Sequence, residues 1–159
     1  MELKQKNFKE SLAFGEEGEH EVAEYLIKKG VNVLPLYQFE NSHAPYILSL
    51  TQKVVSPDLI CFKNDSFMVE VKTKNQWVEF EGNRETGLNK THFDYYKKIR
   101  ELTGKQVFVI FNHKSKKPIG FYLVELMQYT RYWDGFHKGV KKYKEMVFYN
   151  YDILKPLNP

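Results

Sequence analysis

VVSPDLICFKNDSFMVEVKTK, residues 54–74, decides how this chain folds. Val54 to Phe62 and Phe67 to Thr73 are β-rich runs, and Lys63-Asn64-Asp65-Ser66 between them has the polar chemistry that closes a hairpin. Side chains alternate along a strand, so the second run is predicted to bury Val69, Val71 and Thr73 while Glu70 and Lys72 leave by the other face. A charged face is cut into an apolar strand. Whether Asp58 joins that face depends on the turn. A two-residue turn at Asn64-Asp65 would set Asp58 opposite Val71, on the wrong side, so convergence of Asp58 with Glu70 predicts an odd-numbered loop or a bulge.

Working outward, residues 7–29 carry apolar side chains at helical spacing (Phe8, Leu12, Val22, Ala23, Leu26, Ile27), with a possible break at Gly15 or Gly18 and a stop at Gly30. Val31 to Leu36 alternates like a short strand that Pro35 places at an edge. Residues 39–53 are aromatic and polar without clear period. After a polar segment containing Gly82 and Gly87, a helix is predicted from Lys90 to Leu102, with Phe93, Tyr96 and Ile99 on one side and Gly104 ending it. Asn89, or Thr91 with Asp94, would cap its start. Gln106 to Phe111 and Ile119 to Val124 read as buried strands, followed by a short helix at Glu125 to Tyr129 and one more strand near Met146 to Tyr151. This order predicts an α/β fold, a mixed central β-sheet flanked by helices.

With 159 residues, of which 42% are hydrophobic, the chain suits one domain, 1–159, with a core at about 8–124 and an extension at 125–159 packed on it. Apolar runs are far shorter than the roughly 18 residues that span a bilayer, and the charged N-terminus lacks a secretory pattern, so a soluble, cytoplasmic protein without membrane contact is expected. The single cysteine, Cys61, excludes an internal disulfide and reads as core. Residues 1–88 hold 10 Lys/Arg and 14 Asp/Glu, and residues 89–159 hold 14 and 6, so a −4 half precedes a +8 half. Such an asymmetry suits a carboxylate metal site beside a surface that receives phosphates.

Alone, a Glu-x-Lys triplet fits a solvent-facing ion pair on an edge strand. Pro57-Asp58 at hairpin distance changes that reading. Two carboxylates brought close together repel when ionised and are ordinarily held by a divalent cation, Mg²⁺ for all-oxygen ligands, with Mn²⁺ able to substitute. Such a cation can neutralise a phosphodiester and activate water, and Lys72 would orient that water or stabilise the developing charge.

On Pro57-Asp58 and Glu70-Val71-Lys72, the chain resembles the PD-(D/E)XK nuclease superfamily over roughly residues 15–124. The resemblance implies a restriction-endonuclease-like αβββαβ core and a Mg²⁺-dependent deoxyribonuclease, an endonuclease of resolvase-like or phage and mobile-element type. It implies Asp58, Glu70, Lys72 and a first-helix glutamate as catalytic, with Asp58, Glu70, that glutamate and the Val71 backbone carbonyl on the metal. Gly15-Glu-Glu-Gly18-Glu19 looks like the opening of the compact, resolvase-like members, which points to Glu19. Its place three, four and seven residues before Val22, Ala23 and Leu26 puts it on the helix face that docks on the sheet, with Glu16 one turn earlier as the fallback. His92-Phe-Asp-Tyr-Tyr96 is the counterpart of a Gln-x-x-x-Tyr of exonuclease-like branches, with the Gln replaced.

Lys74, Gln76, Trp77, Arg84, Lys90, His92 and Tyr96 are candidates for contact with DNA, the expected partner. The Tyr- and Lys-rich tail, including Arg131, Lys141, Lys142 and Lys144, offers base stacking, phosphate binding, core packing or a dimer surface. A homodimer would bring two sites to two strands. The competing reading is a catalytically inactive nuclease-fold subunit that binds nucleic acid or assembles complexes.

Overall fold

The computed structural model describes the backbone of residues 2–36 and 45–158 and the side chains of 14–36 and 45–158. The expected packing of Phe8 and Leu12, and residues 39–44, lie outside that description. In chain order the elements are α1 (Glu2–Lys28), β1 (Asn32–Pro35), β2 (Tyr46–Leu48), β3 (Lys53–Val55), β4 (Leu59–Phe62), β5 (Ser66–Lys74), β6 (Val78–Phe80) and β7 (Asn83–Asn89). There follow α2 (Lys90–Thr103), β8 (Val107–His113), β9 (Gly120–Glu125), a 3-10 turn (Leu126–Gln128), β10 (Arg131–Trp133), β11 (Phe136–His137), β12 (Val140–Lys141), β13 (Met146–Asn150) and β14 (Lys155–Leu157).

A six-stranded sheet, β1-β4-β5-β8-β9-β14, forms the centre. β1, β4 and β5 are an antiparallel meander, and β5 and β8 are parallel because α2 carries the chain back across the sheet. The α/β fold with a mixed central sheet is therefore present. Its two faces build two cores. On one, Val22, Ala23 and Leu26 of α1 meet Val69, Val71 and Ile110. On the other, Phe93, Tyr96 and Ile99 of α2 meet Met68, Val109 and Phe111.

α1 runs unbroken through Gly15 and Gly18. Gly18 serves the packing: a Cβ there would lie 1.9 Å from Thr73 Oγ1, so only glycine lets α1 approach β5 this closely. Gly30, at φ +78, lies beyond the helix end, and Gly104 closes α2 in the left-handed conformation.

The segment read as polar connection is instead β6 and β7, which join β13 and β10 in a second, four-stranded sheet. Residues 46–53, within the stretch read as lacking period, contain β2 and the start of β3, and the run Val54 to Phe62 is divided between β3 and β4 with a break at residues 56–58. The helix expected at Glu125 to Tyr129 is a single 3-10 turn. Beyond Glu125 the chain enters both sheets, β13 pairing with β7 and β14 with β9. Among the described residues, no helix is long and apolar enough to cross a membrane.

Candidate active site

β4 and β5 pair from Leu59 with Val69 to Phe62 with Ser66, leaving a three-residue loop, Lys63-Asn64-Asp65. The loop is odd-numbered, so continuing the register one step sets Asp58 across from Glu70. β4 stops at Leu59, and beyond it Asp58 turns its carboxylate onto the uncovered edge of β5, where Oδ2 accepts the Val71 N–H at 2.7 Å. In a strand the N–H and C=O of one residue point to the same side, so the Val71 carbonyl opens toward Asp58 as well.

Glu70 is buried, at 2% exposure, on the face that carries α2. Its carboxylate is ion-paired with the Lys72 ammonium two residues on. The Lys72 ammonium also lies 3.4 Å from His92 Nδ1 on the first turn of α2. One turn further along α2, the buried Tyr96 presents its hydroxyl to Glu70. Two residues of α2 thus brace the charged pair of β5 from above.

The electrostatics follow from crowding acids in a dry place. Burial, then the charges of Glu70 and Glu19, push the Asp58 carboxyl well above the usual carboxylate range. Burial, then Glu70, lift Glu19 to about 7, with Lys72 acting against the shift. For Lys72, burial favours the neutral amine, but Glu70, Asp58 and Glu19 outweigh it and keep the ammonium charged. Burial and the nearby Lys72 charge depress His92, so its neutral ring can accept a hydrogen bond from the Lys72 ammonium. Tyr96 is held protonated by burial and by Glu70.

Asp58, Glu70, Lys72, Glu19, His92 and Tyr96 thus act on one another. Lys74, two residues beyond Lys72, is partly buried, and burial followed by the Lys72 charge brings its ammonium down to about 8. The remaining candidates are set elsewhere. Gln76 is exposed past the end of β5. Trp77 stacks flat on His113, ring centroids 3.6 Å apart, and its indole N–H donates to the Pro118 carbonyl at 3.2 Å. Arg84 pairs with Glu79 at 3.4 Å, and Lys90 donates to Asp94 at 2.5 and 2.6 Å. Arg131 forms a two-pronged pair with the buried Glu85 between the rings of Phe80 and Phe148.

The sequence did not flag Glu21, Asn112 and Lys114. Glu21 accepts from Asn112 Nδ2 at 2.8 Å and from Lys114 Nζ at 3.0 Å, which ties α1 to the end of β8 just beside the site. The spacing of Glu21 from Glu19 puts them on different helix faces, and nothing in the sequence pairs Glu21 with residues about 90 positions away.

Among the described residues, no three His, Cys, Asp or Glu side chains form a metal cage. The donor set still fits a small hard cation. Mg²⁺ is characteristically held by one or two carboxylates and keeps several waters, and Asp58, Glu70 and the Val71 carbonyl are oxygen donors on one edge of β5. Burial first, and then mutual repulsion, raise Asp58 and Glu19, and a divalent cation would offset both by favouring the charged carboxylates.

An antiparallel meander, a helical crossover and a parallel fourth strand, with a helix on each face, one acid just before the second strand and another within the third, match a resolvase-like nuclease fold. No family model and no curated protein matches the chain. Among solved structures it is similar to Hjc, a Holliday junction resolvase from the archaeal hyperthermophile Archaeoglobus fulgidus. The TM-score is 0.55 over 87% of this chain and 90% of that one, with 12% sequence identity, a likeness of fold.

Proposed function

We propose that the chain is a divalent-metal-dependent endonuclease of resolvase type that hydrolyses DNA phosphodiesters, working as one nuclease domain. One observation carries the reading. The three-residue β4–β5 loop sets Asp58 across from Glu70, beside a charged Lys72, at an edge where the Val71 carbonyl is open. The similarity in fold to Hjc supports it.

Asp58, Glu70 and the Val71 carbonyl would hold the cation, with Glu19 close enough to share in its charge. A bound Mg²⁺ or Mn²⁺ supplies charge neutralisation for the phosphodiester and acidifies water. Lys72 stays an ammonium and so serves as a fixed positive charge for the phosphate oxygens as their charge grows, not as a base. His92 Nδ1 accepts a hydrogen bond from it and fixes where the ammonium points. Tyr96 donates to Glu70 and keeps that carboxylate in place when Lys72 turns to substrate. Glu19, raised by burial and by Glu70, would give up its proton as the cation binds, and its carboxylate can then accept a hydrogen bond from the reacting water.

The test is incubation with four-way junction, supercoiled, linear and single-stranded DNA in Mg²⁺, Mn²⁺ or EDTA. Wild type is compared with Lys72→Ala and Glu70→Ala. Cleavage is expected only with a divalent cation and should drop by about 10²-fold or more in either variant. Cleavage in EDTA, or cleavage indifferent to both substitutions, rejects the mechanism. Tight binding without cleavage under any cation would favour an inactive nuclease-fold subunit. Sizing the protein in solution tests the homodimer that cutting two strands would use.

A further inference from the structure

The hairpin β11–β12 and the basic run after it have no part in the reaction above. Lys141-Lys142-Tyr143-Lys144-Glu145 leaves β12, and the N–H groups of Lys142 and Tyr143 donate to the Gly135 carbonyl at 3.2 and 3.3 Å. Gly135 has φ +83, and a Cβ on it would stand 2.4 Å from the Tyr143 carbonyl, so the run is pinned against the hairpin.

Between this run and the start of α2 lies a cleft of about 690 Å³, lined by Asn89, Thr91, His92 and residues 141–145. Among the described residues, Lys141, Lys142 and Lys144 have no carboxylate partner. The acid in the cleft, Glu145, accepts from the Tyr132 hydroxyl at 2.6 Å, and its backbone carbonyl takes the Lys90 N–H at 3.0 Å. α2 has no acidic residue in its first turn and no side-chain cap from Asn89, so the positive helix end faces the same region. His92 lines the cleft and also meets Lys72, and Lys144 contributes to the charge His92 experiences. The cleft and the acid site share that residue as a common wall.

Resting on the nuclease reading, we infer that this cleft seats a backbone phosphate of the DNA strand next to the phosphate that is cut, with Lys141, Lys142 and Lys144 as its cations and the Thr91 hydroxyl as a donor. Three ammonium groups without a carboxylate partner around an open cleft, one of them over the Tyr143 ring, suit a polyanion that brings its own charge, and phosphate is the anion a lysine meets as a point charge. The hairpin then sets the direction in which the strand leaves the site.

The test is equilibrium binding of fluorescein-labelled four-way junction and linear duplex in EDTA, over a range of salt. Wild type is compared with Lys141→Gln/Lys142→Gln/Lys144→Gln. A control, Lys29→Gln/Lys63→Gln/Lys155→Gln, removes the same charge around the β4–β5 loop, at the other end of β5. All six lysines are exposed, and circular dichroism checks that each protein is folded. The cleft variant is expected to bind about tenfold more weakly and to lower the slope of log affinity against log salt by about one for each lysine that meets a phosphate. The control should leave the slope unchanged. An unchanged slope in the cleft variant, an equal loss in the control, or no DNA binding by wild type overturns the inference. A lowered slope with no cleavage in Mg²⁺ would sink the nuclease reading and keep the cleft; cleavage with an unchanged slope would do the reverse.

Discussion

Asp58, Glu70 and Lys72 were legible because the need for them is local: alternation along β5 and one loop length settle which way they point. Tyr96 was legible as a position on the apolar side of α2 and His92 as a candidate for contact with DNA, but not as partners of the charged pair. That Lys72 meets His92 and Glu70 meets Tyr96 depends on how α2 crosses the sheet. Trp77 shows the opposite case. Its neighbourhood in sequence suggested an indole near the site that could contact DNA, whereas His113, 36 positions later, covers one face of it. The Tyr96 hydroxyl gives a sharp test of the brace over Glu70. Tyr96→Phe keeps the ring in its buried place and takes one donor from a buried carboxylate, a loss of about 1–3 kcal/mol. Urea unfolding should show that loss with an unchanged m-value. A stability equal to wild type would mean the hydroxyl does not hold Glu70.

α1, α2, the β4–β5 hairpin and β8 stood out in the sequence because each buries an apolar face of regular period. β7 did not, and its reason is physical. Asn83–Asn89 is a central strand whose buried residues include Glu85 and Thr86. Both are made tolerable by distant partners, Arg131 for the acid and His113 for the hydroxyl at 3.1 Å. A strand stabilised in this way reads as a polar loop until those partners are known. The packing of α1 on β5 was also only half visible: Gly18 looked like a helix break and is a contact surface. Gly18→Ala should force Thr73 and the helix apart and cost about 1–3 kcal/mol, despite the better helix propensity of alanine. Thr73→Ala in the same chain removes the Oγ1 that the new methyl strikes, a hydroxyl that is buried without a partner in any case. Chemical denaturation of both single variants and the double should therefore show the double recovering part of the loss. Simple additivity would mean the contact does not set the helix-to-sheet distance.

The acidic first half supplies the helix and strands around the carboxylates, and the basic second half supplies α2 and the hairpin beside them, so the charge asymmetry of the chain is folded into one place. This arrangement makes the stability of the whole molecule depend on pH in a particular way. Glu19, raised from 4.5 to about 7, binds its proton more tightly folded than unfolded, so stability falls as pH rises from about 4.5 to about 7. Asp58, also raised, adds a fall of the same sign that begins near 3.8. His113 is lowered from 6.5 to about 4, by burial first and then by Lys74, so it gains stability as pH rises through that window and opposes the acids there. Above about 6.5 the His113 gain is complete, and the cost of charging acids that are buried and close to one another is left uncompensated. Glu19→Gln should therefore melt higher than wild type at pH 8 and no higher at pH 4. Discounted for the partial exposure of Glu19, the gain is about 1 kcal/mol, or about 2–4 °C for a chain of this length. A divalent cation offsets the same cost by binding only the folded form, so Mg²⁺ at about 100 times its dissociation constant should add about 2.7 kcal/mol at pH 8. The rise in Tm should be about 5 °C or more, smaller at pH 5 where the carboxyls hold protons, and absent in Asp58→Asn. Melting curves with Mg²⁺ or EDTA at the two pH values decide the matter. A rise that survives Asp58→Asn, or that is as large at pH 5 as at pH 8, would place the cation somewhere other than among these carboxylates.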